Sequence, residues 1–133
     1  MHMNQKITGM ALVVKDYDQA IEFYTKKLQF DLLEDTPLSE TKRWVRVAPK
    51  GATECSLLLA KAATDEQLSR VGNQTGGRVF LFLHTSQFEQ DYQNLLQQEI
   101  QIIRGPVQEA WGRVIVFADL YGNLWDLIEV PNS

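Results

Sequence analysis

The sequence is poor in the residues that build covalent and metal-bound frameworks. Its 133 residues include one cysteine, Cys55, and two histidines, His2 and His84. A single cysteine excludes an internal disulfide, which is typical of a reducing compartment. Cys55 stands in an apolar segment, so we expect a small buried side chain and not a nucleophile. Two histidines leave few nitrogen ligands for a transition metal.

Long apolar runs and basic clusters are absent as well. No apolar run approaches the ~20 residues that span a bilayer, and residues 1–6 lack the apolar core of a secretion signal. The formal net charge is −4, and no Lys/Arg block offers the basic surface of a nucleic-acid binder. There is no Gly-rich phosphate loop. We therefore expect a cytoplasmic protein that binds neither nucleic acid nor membrane.

The sequence does contain a repeated order of short strands and helices. Capping-box spacing at Asp16 and Gln19, and again at Ser86 and Glu89, predicts a helix after the first strand of each half. A loop is expected at residues 34–41. Gly105 and Pro106 are expected to end the strand that precedes them. The predicted strands cover residues 7–14, 30–33, 43–48, 54–60, 79–83, 100–103, 111–117 and 124–130.

The two halves also resemble each other in detail. Trp-x-Arg-Val occurs at residues 44–47 and 111–114, an offset of 67, while the first strands are offset by 69. We predict an α+β fold of two tandem βαβββ modules. The single domain covers residues 1–133, with module one at about 6–60, a connector at 61–76 and module two at about 77–130. Two modules that bury their bare sheet faces together would form a cupped pocket for a small molecule.

Two segments resemble the vicinal oxygen chelate superfamily, which includes glyoxalase I, bleomycin-resistance proteins and extradiol dioxygenases. Residues 12–24 and 28–30 resemble its D-x-x-x-A-x-x-F-Y…L-G-F helix, with Gln29 in place of the common Gly. Residues 119–127 resemble D-P-D-G-N-x-x-E-L. The resemblance covers nearly the whole chain. It implies the fold but not a reaction, because the superfamily hosts many chemistries.

The resemblance also implies where a metal would bind. Metal-using members carry a ligand, commonly His or Glu, on the first and last strand of each half, and these positions correspond to Gly9, Ser56, Arg78 and Asp126. Glycine has no side-chain ligand, and an arginine guanidinium stays protonated and offers no lone pair. Only Asp126 is a competent ligand. We therefore expect no bound metal and no other cofactor.

Strand alternation places Arg78, Phe80 and Phe82 on one face of the fifth strand, and the resemblance assigns that face to the cup. The resemblance also makes the first and last strands of a module neighbours, so Arg78 and Asp126 should lie side by side. Two interpretations stay open. The two side chains form an ion pair in place of a metal, or Arg78 binds a ligand's carboxylate or phosphate while Asp126 orients it.

The repeated Trp and Arg residues are further candidates. In the cup they would stack a planar ligand and pair with its anionic group. In the alternative interpretation they stack on one another at the repeat interface or at a dimer edge. The full candidate pocket consists of Trp44, Arg46, Ser56, Arg78, Phe80, Trp111, Arg113 and Asp126.

Two functions from different classes follow. The first is a metal-independent binding protein of the glyoxalase/bleomycin-resistance type, which sequesters a small organic ligand, anionic or aromatic, in the cup. The alternative is a metal-dependent lyase or isomerase resembling lactoylglutathione lyase (glyoxalase I), or a dioxygenase, in which the ion polarises oxygens of the substrate. No motif in the sequence pairs a nucleophilic side chain with a general base, so no catalytic residue is assigned. Superfamily members often pair, which makes a homodimer a further expectation, although no sequence feature fixes its interface.

Overall fold

The computed structural model describes residues 4–52 and 54–131, so His2 lies outside the described residues. The chain divides into two compact units, residues 1–68 and 69–133, called module one and module two below. Each contains one mixed four-stranded sheet in the order first, fourth, third and second strand. The predicted α+β fold of two βαβββ units is confirmed. No helix in the described ranges is long and apolar enough to cross a membrane.

Module one is built on a parallel pair of strands extended by two antiparallel ones. Asp16 begins its first helix, because its carboxylate accepts the backbone N–H of Gln19 at 2.8 Å. A π-helical turn, Phe23–Lys27, continues that helix. The elements are β1 (Gly9–Val14), α1 (Tyr17–Glu22), β2 (Asp31–Pro37), β3 (Arg43–Ala48), β4 (Ser56–Lys61) and the short α2 (Asp65–Ser69), which spans the boundary between the modules.

The core of module one lies between α1 and the sheet face formed by alternate strand residues. Phe23 and Tyr24 are buried there, as their helical spacing predicts. Alternation has a period of two in strands, so each strand contributes every second side chain to this face. The strand residues of this core are Leu12, Val14, Val45, Val47, Leu57 and Leu59.

Module two repeats this plan. Its elements are β5 (Val79–Thr85), α3 (Phe88–Gln97), β6 (Ile102–Glu109), β7 (Gly112–Ala118) and β8 (Leu124–Glu129). The helix buries Phe88 and Leu95 against the sheet. The buried strand residues on that face include Ile115, Phe117, Trp125 and Leu127.

The turn between β7 and β8 is held by one buried carboxylate. Asp119 Oδ1 accepts the backbone N–H groups of Tyr121 and Asn123, each at 2.9 Å. Asp119 Oδ2 accepts the side-chain amide of Asn123, also at 2.9 Å. Both Asp119 and Asn123 are buried. The D-x-x-G-N motif is therefore a network of hydrogen bonds that positions the last strand.

Gln29 occupies the glycine position of the L-G-F motif that the sequence resembles, and the backbone shows why glycine suits this position. Its φ is +63°, a left-handed conformation that glycine adopts without the steric cost met by other residues. Glu99, at the corresponding position after α3, has a φ of +56°. Both helices thus end in the same backbone conformation without the residue that suits it best.

β2 and β6 extend well beyond their predicted ends. β2 continues through the expected loop to Pro37, because it is the edge strand of its sheet and pairs there with β3. β6 continues through Gly105 and Pro106, with a register shift between Arg104 and Val107. A Cβ on Gly105 would lie 2.7 Å from the carbonyl oxygen of Val114, so glycine permits the close approach of β6 to β7.

The second capping box is not formed. Gln87 is the N-cap residue of α3 and makes no side-chain cap hydrogen bond. Glu89, which was expected to complete the box with Ser86, instead accepts hydrogen bonds from Gln93 and Arg113. A tertiary ion pair thus replaces the local contact that the spacing predicts.

Candidate functional site

Each sheet has a helix-free face, opposite the face that packs on α1 or α3. In module one this face carries Trp44, Arg46, Ser56 and Leu58, because their side chains alternate with the core residues of β3 and β4. Ser56 is buried, whereas the preceding Cys55 is exposed, so the expectation of a buried cysteine was wrong. Three predicted pocket residues, Trp44, Arg46 and Ser56, are therefore on one face.

Arg46 is held in place by side chains from both neighbouring strands. Its Nε donates to Glu34 Oε1 at 2.9 Å, and its Nη1 donates to Ser56 Oγ at 3.2 Å. Ser56 Oγ in turn donates to the carbonyl oxygen of Thr8 at 3.4 Å. This chain of contacts crosses the sheet from β2 to the start of β1. It fixes the guanidinium in one orientation and balances its charge with that of Glu34.

A recess of about 430 Å³ lies beside this chain of contacts. Trp44 is 40% exposed and forms part of its wall. Gly9 pairs with Ser56, and a Cβ on Gly9 would lie 3.2 Å from the Ser56 carbonyl oxygen. The missing side chain keeps that part of the recess open. The recess, called the indole recess below, is lined by Thr8, Gly9, Met10, Ala11, Trp44, Arg46, Ser56 and Leu58.

The helix-free face of module two centres on Asp126. Its register partners are Phe82 on β5 and Val116 on β7, and Val116 in turn pairs with Arg104 on β6. Burial among these strands raises the pKa of Asp126, and the positive charge of Arg104 partly opposes that shift. Phe82 is 64% exposed. The result is a half-buried carboxyl group beside an exposed aromatic ring.

Arg78 does not lie beside Asp126 as predicted. A register shift between Val79 and Leu81 leaves Phe80 without a partner on β8, so the alternation that the sequence predicts is broken there. Arg78 precedes β5 and is exposed. The ion pairs of the described residues include none between Arg78 and Asp126. The ion-pair interpretation is therefore wrong, and the charge that acts on Asp126 is that of Arg104.

The repeat also aligns differently from the sequence prediction. β4 and β8 both bury their second and fourth residues, which aligns Leu58 with Asp126. Leu58 pairs with Arg46 on β3, as Asp126 pairs with Val116 on β7. The counterpart of Asp126 is thus Leu58, and Ser56, which the sequence predicts at this position, lies two residues out of register.

Arg113 lies on the helix side of its sheet. Its guanidinium stands 4.5 Å from the centre of the Phe88 ring and donates to Glu89 Oε1 at 3.1 Å. It also donates to Glu129, and these hydrogen bonds hold the pKa of Glu129 below its usual value. Trp111 lies in the turn between β6 and β7 and is 54% exposed. Neither residue belongs to the helix-free face described above.

The counterpart of Arg113 is Arg43 and not Arg46. Arg43 stands 5.1 Å from the Tyr17 ring and donates to Asp18 at 2.9 Å. Tyr17 and Asp18 begin α1, just as the partners of Arg113 begin α3. The two Trp-x-Arg-Val segments are therefore not structurally equivalent. The similarity between them led to the wrong prediction that Trp111 and Arg113 lie in the same kind of site as Trp44 and Arg46.

The residues at the expected metal positions do not form a ligand set. Gly9 pairs with Ser56, and Asp126 pairs with Phe82. Within the described ranges, no three His, Cys, Asp or Glu side chains are grouped closely enough to hold an ion. One carboxylate is too few donors for zinc or another divalent transition metal. The donor chemistry therefore disagrees with the metal that the family implies.

Two charged neighbours of the site were missed from the sequence. Glu34 falls in the predicted loop at residues 34–41, and Arg104 falls just beyond the predicted strand at residues 100–103. The residues of β2 do not alternate clearly between apolar and polar, because β2 is an edge strand with polar side chains on both faces. Only the cross-strand register shows that Glu34 pairs with Arg46, and that Arg104 pairs with Val116, the register partner of Asp126.

Comparisons with known proteins agree with this architecture. The sequence profile of the Glyoxalase/Bleomycin resistance protein/Dioxygenase superfamily matches residues 6–127. A protein of Shewanella frigidimarina (strain NCIMB 400) is 54% identical over 132 residues, which cover 98% of both chains. The crystal structure of UcmS2 has a TM-score of 0.82 at 27% identity and covers 95% of this chain and 98% of its own. TnmS3, an antibiotic binding protein from Streptomyces sp. CB03234, has a TM-score of 0.76 at 30% identity, with 98% and 100% covered. The chain belongs to the glyoxalase/bleomycin resistance protein/dioxygenase superfamily.

Proposed function

We propose that this protein binds a planar small molecule in the indole recess and sequesters it without the help of a metal. The observation that carries the proposal is the position of Trp44 beside an immobilised Arg46. An exposed aromatic side chain next to fixed hydrogen-bond donors is the usual composition of a small-molecule site.

Trp44 supplies the apolar surface of this site. Its indole ring stays 40% exposed, and Met10 and Leu58 line the same recess. A flat ligand that covers a large, water-exposed aromatic ring removes apolar surface from water, and this favours binding. The recess therefore favours a planar, mostly apolar molecule.

Arg46 supplies the polar contact. Nε and Nη1 are engaged with Glu34 and Ser56, while Nη2 donates to none of the described residues. The guanidinium carries five N–H donors in a fixed plane, so donors remain for an acceptor oxygen of the ligand. Glu34 already balances the charge of Arg46. The indole recess therefore accepts a carbonyl or phenolic oxygen and does not require an anion.

The comparisons support binding as the function. TnmS3, at 30% identity, is an antibiotic binding protein, and we extend small-molecule binding to this chain by that similarity. The scarcity of metal ligands on both helix-free faces points the same way, since the superfamily's lyases and dioxygenases polarise substrate oxygens with an ion.

Calorimetric titration with 2-naphthamide, a neutral planar amide, tests the proposal. We expect saturable binding, and Trp44→Phe should weaken it about three- to tenfold through lost stacking area. Trp111→Phe is the matched control, because Trp111 is also exposed but lies in the turn between β6 and β7. Equal losses in the two variants, or no binding at all, would remove the indole recess as the site.

Elemental analysis of the purified protein distinguishes metal-independent binding from the metal-dependent alternative. We expect less than stoichiometric zinc, iron, manganese and nickel, with 2-naphthamide binding unchanged after treatment with a chelator. One tightly held metal ion per chain, lost together with binding, would favour the lyase or dioxygenase alternative instead.

A further inference from the structure

A second cavity of module one opens where β3 and β4 separate. Their ladder ends at the pair Val45 and Leu59. The corresponding ladder of module two continues one pair further, to Val114 and Ile128. Beyond Val45, Trp44 keeps only its partner on β2, and the end of β4 pairs only with β1. The two strands thus leave a cleft at one end of the sheet.

This cleft has a volume of about 580 Å³, larger than the indole recess. Its lining includes Leu58, Leu59 and three alanines, and Trp44 and Leu58 line both cavities, so the two are adjacent. The cleft is lined by Tyr17, Thr41, Lys42, Arg43, Trp44, Leu58, Leu59, Ala60, Lys61, Ala62, Ala63 and Gln67.

The charged side chains that line the cleft are all positive. Lys42 and Lys61 are exposed, and neither forms an ion pair with any described residue. The third cation, Arg43, is bound to Asp18 and Asp35 at 2.9 and 2.7 Å. No carboxylate lines the cleft, although the chain as a whole has a net charge of −4. Two uncompensated cations therefore face this cavity in an otherwise acidic protein.

The hydroxyl group of Tyr17 adds a donor. Tyr17 is only 7% exposed and lines the cleft. Its oxygen accepts the backbone N–H of Arg43 at 3.1 Å, while no described residue accepts its own proton. The proton of the Tyr17 hydroxyl is therefore available to an acceptor oxygen of a ligand.

We infer that the cleft binds the carboxylate of an amphipathic aromatic acid, whose ring lies against Trp44. Lys42 and Lys61 neutralise the carboxylate, and the Tyr17 hydroxyl donates to it. The inference rests on the proposed function, because it names the class of ligand that the module-one face selects. Arg46 in the indole recess donates to the neutral oxygens of such a ligand.

The first test compares 2-naphthoate with 2-naphthamide, which has nearly the same shape but no charge. Calorimetry at low ionic strength should show tighter binding of the acid. That preference should shrink at high ionic strength, because salt screens exposed lysines. Equal affinities at low ionic strength would overturn the anion cleft but leave the indole recess intact. Binding of neither compound would overturn both.

Variants of the cations provide the second test. Lys42→Gln combined with Lys61→Gln should weaken 2-naphthoate binding about five- to tenfold, within the range that two exposed ion pairs contribute. Binding of 2-naphthamide should change less than about twofold. Lys50→Gln is the matched control, since Lys50 is exposed in the turn after β3, outside both cavities. An equal loss in the control refutes the assignment of the two lysines.

Tyr17→Phe tests the hydroxyl donor. We expect 2-naphthoate affinity to fall about ten- to a hundredfold, as for a hydrogen bond to a charged acceptor. The melting temperature of each variant shows that the fold is retained, and the lysine variants test the cleft even where Tyr17→Phe is unstable. A Tyr17→Phe protein that folds and binds both compounds as the wild type does would exclude the hydroxyl from the site.

Discussion

Replacing Asp119 with alanine should destabilise the protein strongly. The carboxylate accepts three hydrogen bonds of 2.9 Å, from the Tyr121 and Asn123 backbones and from the Asn123 side chain. Asp119 is 5% exposed, so water does not readily take the place of its carboxylate. Asp119→Ala leaves these donors without that acceptor in a buried turn.

The magnitude follows from the value of such contacts. A hydrogen bond to a charged group contributes roughly 1.5–3 kcal/mol, and the three bonds share one carboxylate, so they do not add fully. We expect the free energy of unfolding to fall by about 3–4 kcal/mol. For a chain of 133 residues this corresponds to a fall in Tm of about 10–15 °C.

Asp16→Ala is the matched control. Asp16 also accepts a backbone N–H, from Gln19 at 2.8 Å, but at an exposed helix end. An N-cap of this kind contributes about 1 kcal/mol. Urea unfolding followed by circular dichroism compares the two variants. If Asp119→Ala costs no more than Asp16→Ala, the D-x-x-G-N motif does not hold the turn, and its role has to be sought elsewhere.

Three further changes have clear expected outcomes. Gln29→Gly should raise the free energy of unfolding by about 1 kcal/mol, because φ is +63° there, and a decrease in urea unfolding would contradict the backbone argument. Gly105→Ala should lower Tm by several degrees, since its Cβ meets the Val114 carbonyl and φ is +100°; an unchanged Tm would show that β6 shifts freely. Asp126→Asn should raise Tm at neutral pH, because burial raises the pKa of Asp126 and its ionised form therefore costs stability above that pKa. The gain should shrink as the pH falls toward 3.8, and a gain independent of pH would exclude this cause.

The strands of the core were the most predictable elements. The predicted strand at residues 43–48 coincides with β3, and the helix after Asp16 begins where the capping spacing places it. Apolar alternation and capping are properties of residues close together in the chain, so they can be recognised without knowledge of the fold. The edge strands β2 and β6 were predicted too short, because polar and proline residues are tolerated at a sheet edge and resemble a loop.

The candidate site was predicted less well than the fold. Trp44, Arg46 and Ser56 do share a face with Gly9, as expected for module one. Arg78 and Arg113 do not lie where the sequence repeat places them. The offset between the modules differs from strand to strand, so a short motif such as Trp-x-Arg-Val aligns residues that face opposite sides of their sheets.

The sequence by itself determined the order of the elements, the core faces of the strands and the Asp119 turn, because each depends on periodicity or hydrogen bonds among near neighbours. The tertiary structure decided which charged groups meet. The register of β5 and β8 places Phe82, four residues beyond Arg78, opposite Asp126, and the pairing of β2 with β3 brings Glu34 to Arg46. Side chains alternate with a period of two, so a shift of one residue moves a side chain to the other face. Cross-strand register therefore decides the chemistry of the site, and the linear sequence encodes that register only weakly.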